Sequence, residues 1–339
     1  MKAFVLTQYK QPLQEVDVPE PVVGDHDVLV QVHSAGLNQL DEKIRLGEFK
    51  QILPYRLPQV LGHDLAGVVL EVGAKVRSFV PGDEVFARAA DHRIGSFAER
   101  IAVAEQDLAI KPSTISMDEA GALPLVALTA WQALVERGAV GPGQKVLIHA
   151  GAGGVGSIAI QLAKYLGTTV ATTVSAGNKE FVRELGADVV VGYQTDDFTE
   201  IVHDYDLVLD SLGGENLERS LGVLKPGGKA IGISGPPDAG FARQLGANPI
   251  LRGVMSLLSS GIRRQARRLG VTYEFLFMHA DGGQLREIAD LIDAGHIKPV
   301  VGRVVPFDQT SEVLATLDKG GVRGKTVISH SYNPDRITS

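Results

Sequence analysis

Two short stretches of this chain hold groups whose types and spacing suit chemistry. The first is GHDLAGVV, residues 62–69, where His63 stands beside Asp64. An imidazole next to a carboxylate raises the question of a metal. A zinc site needs at least three protein ligands, yet the chain has no cysteine, and Asp64 and Asp41 are the only nearby carboxylates. The expectation is that His63 binds no metal. The second stretch is HAGAGGVG, His149 to Gly156. Gly151, Gly153 and Gly156 fit G-x-G-x-x-G, with Ala152, Gly154 and Val155 between them. The pattern follows an apolar strand, KVLIH, and opens a helix, the context that raises it above a bare string match. Glycines permit a tight turn and let backbone approach a pyrophosphate, while the helix N-terminus offers unbonded N–H groups to the anion. The expectation is a dinucleotide site.

Which dinucleotide depends on the end of the second strand. An NAD site usually carries Asp or Glu about 20 residues past the first glycine. Here the region reads ATTVSAGNKEF, with Ser175, Asn178 and Lys179 before the first acid, Glu180, which lies inside the next helix. A missing carboxylate removes repulsion toward a 2′-phosphate, and Lys179 can supply a charge-assisted hydrogen bond. NADPH is the expected cofactor; the alternative is that Lys179 is a solvated helix-start lysine.

These groups need elements to position them. Residues 1 to about 113 read as short strands broken by Gly and Pro. VLVQVHSAG alternates with period two from Val28 to His33, and VPGD (Val80 to Asp83) is a turn. Ser116 and Glu119 form a capping-box pattern opening a helical stretch to about Arg137. From Lys145 strands and helices alternate, which implies a mostly parallel sheet with helices on both faces. VTYEFLF, Val271 to Phe277, reads as one further strand, and the tail holds two helices and short strands ending in KTVIS.

The length of 339 residues suggests two domains. A net charge of −7 argues against a nucleic-acid partner. Arg263, Arg264, Arg267 and Arg268 are the only basic run and read as one solvated helix face. No stretch of about 18 apolar residues suggests a membrane span. The N-terminus MKAFVLTQYK lacks a signal-peptide pattern, and the absence of cysteine fits a reducing compartment. A cytoplasmic location with no membrane partner is expected.

The order of GHDLAGVVLEVGAKVRSFVPGDEVF, GSFAER and HAGAGGVG resembles the medium-chain dehydrogenase/reductase superfamily over nearly the whole chain. GLNQLDEKIRLG and PLVALTAWQAL look like its zinc-free quinone oxidoreductase and alkenal/enone reductase branch. Asn38 stands where zinc-bound members carry a ligating cysteine. The resemblance implies an α/β fold, with a GroES-like β-rich catalytic domain (1–121 and 279–339) and a Rossmann-type doubly wound parallel sheet binding NADPH (122–278). It implies further cofactor contacts: Tyr193, which could equally be a strand-end aromatic; Thr129, which could instead bond back to its own helix; the strand ends Gly232, Ile233, Ser234, Phe275 and Phe277; and Lys325 after Gly324.

In this branch hydride passes to a quinone or to the C=C bond of an α,β-unsaturated carbonyl. Without a metal, hydrogen-bond donors must stabilise the developing enolate oxygen. Asn38, Lys43 and Arg45 are the candidates; Lys43 could anchor the cofactor ribose, polarise the carbonyl, supply a proton or be a surface residue, and the alternative proton donor is solvent. A non-catalytic nucleotide-sensing or RNA-binding relative is the alternative class. An apolar edge strand left bare is a hazard, and in related enzymes the equivalent strand pairs with its two-fold mate. A homodimer through residues 271–277 is therefore expected.

Overall fold

In the computed structural model the described residues are 1–246 and 248–331. The chain divides into two compact units, Met1–Leu128 with His279–Ser339, and Thr129–Met278.

The first unit is β-rich. Its opening elements are β1 (Lys2–Leu6), β2 (Gln14–Asp17), β3 (Asp27–Gly36), α1 (Gln39–Arg45), β4 (Gln59–Val60), β5 (Asp64–Val72), β6 (Glu84–Arg88), β7 (Arg100–Ala104), β8 (Leu108–Ile110) and α2 (Met117–Gly121), with α3 (Pro124–Trp131) running across the boundary. In β3 the alternation puts Val28, Val30 and Val32 in the core while Gln31 is exposed, the pattern a half-buried strand requires. The turn at Val80–Asp83 closes as the sequence suggests, with Asp83 N bonded to Val80 O at 3.2 Å and Val80 N to Asp83 Oδ2 at 2.9 Å.

The second unit alternates strand and helix. In order come β9 (Lys145–Ile148), α4 (Gly154–Tyr165), β10 (Thr169–Val174), α5 (Lys179–Glu184), β11 (Val189–Gly192), α6 (Phe198–Ile201), β12 (Tyr205–Asp210), α7 (Gly214–Ser220), β13 (Leu224–Gly232), α8 (Ala239–Gln244), α9 (Pro249–Leu258), α10 (Ser260–Arg268) and β14 (Thr272–Phe275). The six strands form one sheet in the order β11-β10-β9-β12-β13-β14, every neighbouring pair parallel. This is the doubly wound arrangement, and its order reverses between β9 and β12, where such sheets open a crevice at their carboxyl ends. The tail returns to the first unit with α11 (Gly282–Asp293), β15 (Val301–Pro306), α12 (Thr310–Leu314) and β16 (Lys325–Ser329). There β16 pairs antiparallel with the end of β3 and completes a seven-stranded sheet, β15-β16-β3-β5-β6-β8, with β7 paired to the first half of β3 along the same edge as β16.

Three elements differ from the sequence reading. The helical stretch from Ser116 does begin with its capping box, Glu119 N to Ser116 Oγ at 3.3 Å and Ser116 N to Glu119 Oε2 at 2.8 Å. It then breaks after Gly121, restarts at Pro124 and ends in a π-helical turn, Gln132–Arg137. Proline has no N–H to continue a helix but suits a first turn. The strand expected over 271–277 is only Thr272–Phe275. Its partner β13 stops at Gly232, opposite Phe275, and the last bond is Leu276 N to Gly232 O at 2.9 Å. The polar helical segment after β13 is three short helices rather than one.

Candidate active site

The glycine loop lies between β9 and α4. A Cβ on Gly151 would meet Thr172 Oγ1 at 2.1 Å, and one on Gly156 would meet Ala150 O at 2.4 Å and Gly151 Cα at 2.7 Å. Both positions must therefore be bare for the helix to pack this closely on the turn. Gly153 caps α4, whose first interior bond is Ser157 N to Gly153 O at 2.9 Å. The N–H groups of Gly154, Val155 and Gly156 precede that bond and have no carbonyl within the helix to accept them. His149, just before the loop, is fully buried between Thr173 Oγ1 (3.0 Å) and Ser220 Oγ (2.8 Å). Burial pulls its pKa down to about 4. It is a neutral structural group. The bare cradle and open N–H groups fit the pyrophosphate of a dinucleotide.

At the end of β10 the adenosine-side candidates gather. Asn178 Nδ2 donates to Ser175 Oγ at 3.0 Å, and Ala176 N donates to Gln194 Oε1 at 2.9 Å, tying this loop to the end of β11. Tyr193 is 64 % exposed. Lys179 Nζ is already paired with Asp196 Oδ2 at 3.2 Å, and the same oxygen accepts from Gly192 N at 3.0 Å. Asp196 is held below the usual carboxylate range, first by the Gly192 N–H, then by Thr195 and Lys179. Sequence reasoning missed Asp196, which lies 17 residues beyond Lys179 in the chain. No local pattern links the two.

The remaining strand ends are structurally busy. Ile233 N bonds to Asp210 O at 2.9 Å. Phe275 N is taken by Asp238 Oδ2 at 3.2 Å, while the Phe275 and Phe277 rings pack on Phe241 at 5.1 and 5.3 Å. The Phe275 N–H is therefore engaged by Asp238 instead of facing a ligand. Gly232 sits against the Tyr273 ring, where a Cβ would approach to 3.1 Å. Ser234 follows at the same end of β13, and Thr129 is buried in α3.

In the first unit the polar residues assemble into one buried cluster. Asn38 Nδ2 donates to Asp64 Oδ2 (3.0 Å) and Gly36 O (3.2 Å), and its Oδ1 accepts from Lys325 Nζ. Lys325 Nζ also donates to Leu37 O at 2.7 Å and lies 3.5 Å from Asp64 Oδ2. Asp64 Oδ1 accepts from Leu125 N at 2.7 Å. Alongside, Asp41 Oδ1 is 2.6 Å from His63 Nδ1, and Asp41 Oδ2 accepts from Asn38 N at 3.0 Å. Burial raises the Asp64 carboxyl and lowers the Lys325 ammonium, each opposed mainly by the other's charge.

This cluster revises three assignments. Both Asn38 amide protons are spent inside the protein, so Asn38 positions the loop before α1 and is not an open donor. The Arg45 guanidinium is locked on Glu42 at 2.6 and 2.7 Å and on Gln11 O at 2.9 Å. Lys325 serves the interior of its own unit instead of presenting a free ammonium to a cofactor. Lys43, half-buried on α1 between these groups in sequence, makes no side-chain hydrogen bond or ion pair among the described residues. The set also fails to fit zinc. An ammonium already occupies the Asn38 and Asp64 oxygens, and among the described residues no group of three or more His, Asp or Glu side chains is placed to hold a metal.

Comparison with known proteins agrees with this architecture. Residues 24–113 match the alcohol dehydrogenase GroES-like domain and residues 185–328 the zinc-binding dehydrogenase domain. The chain is 35 % identical to the zebrafish mitochondrial NAD(P)H oxidoreductase RTN4IP1, over 90 % of this chain and 84 % of that one. It is 34 % identical to the chloroplastic NADPH-dependent alkenal/one oxidoreductase of Arabidopsis thaliana, over 97 % and 79 %. Among solved structures, the quinone oxidoreductase of Coxiella burnetii superposes with a TM-score of 0.84 at 31 % identity, covering 97 % of this chain and 99 % of that one. The Escherichia coli quinone oxidoreductase complexed with NADPH gives 0.80 at 25 % identity, covering 97 % and 100 %. With this fold, this glycine cradle and these relatives, the chain belongs to the medium-chain dehydrogenase/reductase family, as an oxidoreductase of the branch that includes quinone oxidoreductases and alkenal/one reductases.

Proposed function

We propose that the protein is a zinc-independent, NADPH-dependent reductase acting on a quinone or on the C=C bond of an enal or enone. NADPH, when bound, supplies hydride. The chain's own contribution begins with the Gly154–Gly156 N–H groups on the pyrophosphate and with Ser175, Lys179 and Tyr193 at the 2′-phosphate. The absence of a carboxylate at the end of β10 favours the phosphate over a free ribose hydroxyl. Hydride addition to an enone's β-carbon puts negative charge on its oxygen, and donors aimed there act mainly in the transition state. The single observation that carries this reading is the contrast on α1. Asn38 and Arg45 are committed to internal partners, whereas the Lys43 ammonium is not. Lys43 is then the donor that polarises the carbonyl or delivers the proton. We include in this reading a homodimer joined through residues 271–277, because β14 is the edge strand of its sheet.

The test is NADPH oxidation with a panel of quinones and enones. Wild-type protein should turn over both classes. Lys43→Ala and Lys43→Met should each lower enone turnover by about 10- to 1000-fold, and quinone turnover by less, since a quinone is the stronger electrophile. No turnover with any acceptor would overturn the reductase reading. Equal enone rates in all three proteins would leave the reductase standing and remove Lys43 from its mechanism.

A further inference from the structure

Between Asp238 and Glu274 the chain holds no acidic residue and six arginines, at positions 243, 252, 263, 264, 267 and 268, although the whole chain carries −7. This stretch is α8, α9, α10 and their links. The guanidinium groups of Arg243, Arg263, Arg264, Arg267 and Arg268 make no ion pair or hydrogen bond among the described residues. Arg264, Arg267 and Arg268 are exposed on α10, whose other face, Ile262 and Ala266, is buried in the core of its unit. By sequence alone this run reads as one solvated helix face.

The structure adds a second feature that a solvated face does not need. On α9 the side chains of Ile250 (80 % exposed), Val254 (48 %), Leu257 (74 %) and Leu258 (59 %) are in the open. Their spacing, i, i+4, i+7 and i+8, sets them in one stripe along the helix. The opposite side holds buried Met255, and Ser259, buried and bonded through Oγ to Met255 O at 3.0 Å, ends α9 where α10 begins. Single exposed aliphatics are common, but a stripe of four leading into an unpaired arginine helix is not.

We propose that the α9–α10 segment is a docking surface for an anionic lipid membrane, with the aliphatic stripe entering the headgroup boundary and the arginines meeting lipid phosphates. An aliphatic stripe flanked by basic residues, with no acid among them, is the composition of helices that lie in a membrane interface. Charge selects this occupant. A second copy of the chain placed on the same face by two-fold symmetry would set an all-positive stretch against its like. A nucleic acid would satisfy the arginines but leave four aliphatic side chains in water. The inference does not depend on the proposed reaction.

The experiment is vesicle flotation of the full chain. Vesicles are of phosphatidylcholine alone, or of phosphatidylcholine mixed with phosphatidylglycerol. Wild-type protein should float with the mixed vesicles and far less with the neutral ones. The triple variant Arg264→Gln, Arg267→Gln, Arg268→Gln should lose about 100-fold in partitioning, from roughly fivefold for each arginine near an anionic surface. The variant Ile250→Ser, Leu257→Ser, Leu258→Ser should lose at least about 100-fold. All six positions are exposed, so both variants should keep the wild-type circular dichroism spectrum and melting temperature, which the same preparations report. Absence of flotation with mixed vesicles overturns the proposal. So does flotation that neither variant weakens. Light scattering in which the serine variant alone loses mass, without vesicle binding by wild type, would make the stripe a contact between copies. Retention on duplex DNA that depends on the arginines and ignores the serines, again without flotation, would make the face a polyanion site.

Discussion

The glycine loop and the Asn38–Asp64–Lys325 cluster are both polar sites, built in opposite ways. The loop is consecutive in sequence, works through its backbone, and excludes side chains, as the approaches at Gly151 and Gly156 show. The cluster draws on α1, the start of β5 and the start of β16, with Lys325 and Asn38 separated by 287 positions. It is built around buried side chains, which bond to one another and to nearby backbone groups such as Gly36 O, Leu37 O and Leu125 N. A backbone site is specified wherever the pattern occurs in a strand–turn–helix. A side-chain site is specified only once its neighbours have competed for each donor.

That contrast can be broken most forcefully at Lys325. Lys325→Met leaves the buried Asp64 carboxylate without its cation, a situation that costs about 3–5 kcal/mol. Urea unfolding should show this loss, and the double variant Lys325→Met, Asp64→Asn should recover much of it, because the uncompensated charge is gone. A single variant as stable as wild type would mean that Asp64 is already protonated in the fold.

The glycine loop should be sensitive to acid through His149. The folded imidazole resists protonation until about pH 4, whereas an unfolded one takes its proton near 6.5. Its contribution to stability is complete above pH 6.5 and is lost as pH falls through this window, amounting to about 3 kcal/mol by pH 4. Unfolding free energies of wild type and His149→Gln across that range should converge as the pH drops. Parallel curves would show that His149 is not the titrating group.

The smallest effect lies at the end of β10. Lys179→Ala should weaken NADPH binding by about 1.5–3 kcal/mol, the worth of a hydrogen bond to a charged group, and leave NADH binding nearly unchanged. Because Lys179 is already shared with Asp196, the lower part of that range is expected. Fluorescence titration with both nucleotides checks it, and equal weakening of the two would mean that Lys179 does not read the phosphate.

Much of the scaffold is legible in the sequence. The Val28–Val32 alternation, the Val80–Asp83 turn, the Ser116 box and the strand–glycine–helix unit each rest on interactions within a few residues. Asn38 and Arg45 were legible as polar groups near the site but not as occupied ones. The Arg45 partner Glu42 is three residues away, a helical spacing that could have flagged the pair. Nothing local announces Lys325 above Asn38, or Asp196 beside Lys179. The arginine run on α10 was plain, but the outward stripe on α9 became visible only when Met255 proved to be the buried side.

By itself, the sequence determined the doubly wound sheet and the bare-glycine cradle. Periodicity and turn chemistry are properties of nearby residues. Only the tertiary structure decided which polar groups remain open. A buried donor must find an acceptor wherever the chain brings one, and here the acceptors for Lys325 arrive from the other end of the unit. That folding event closes Asn38 and leaves Lys43, on α1, with no side-chain partner among the described residues.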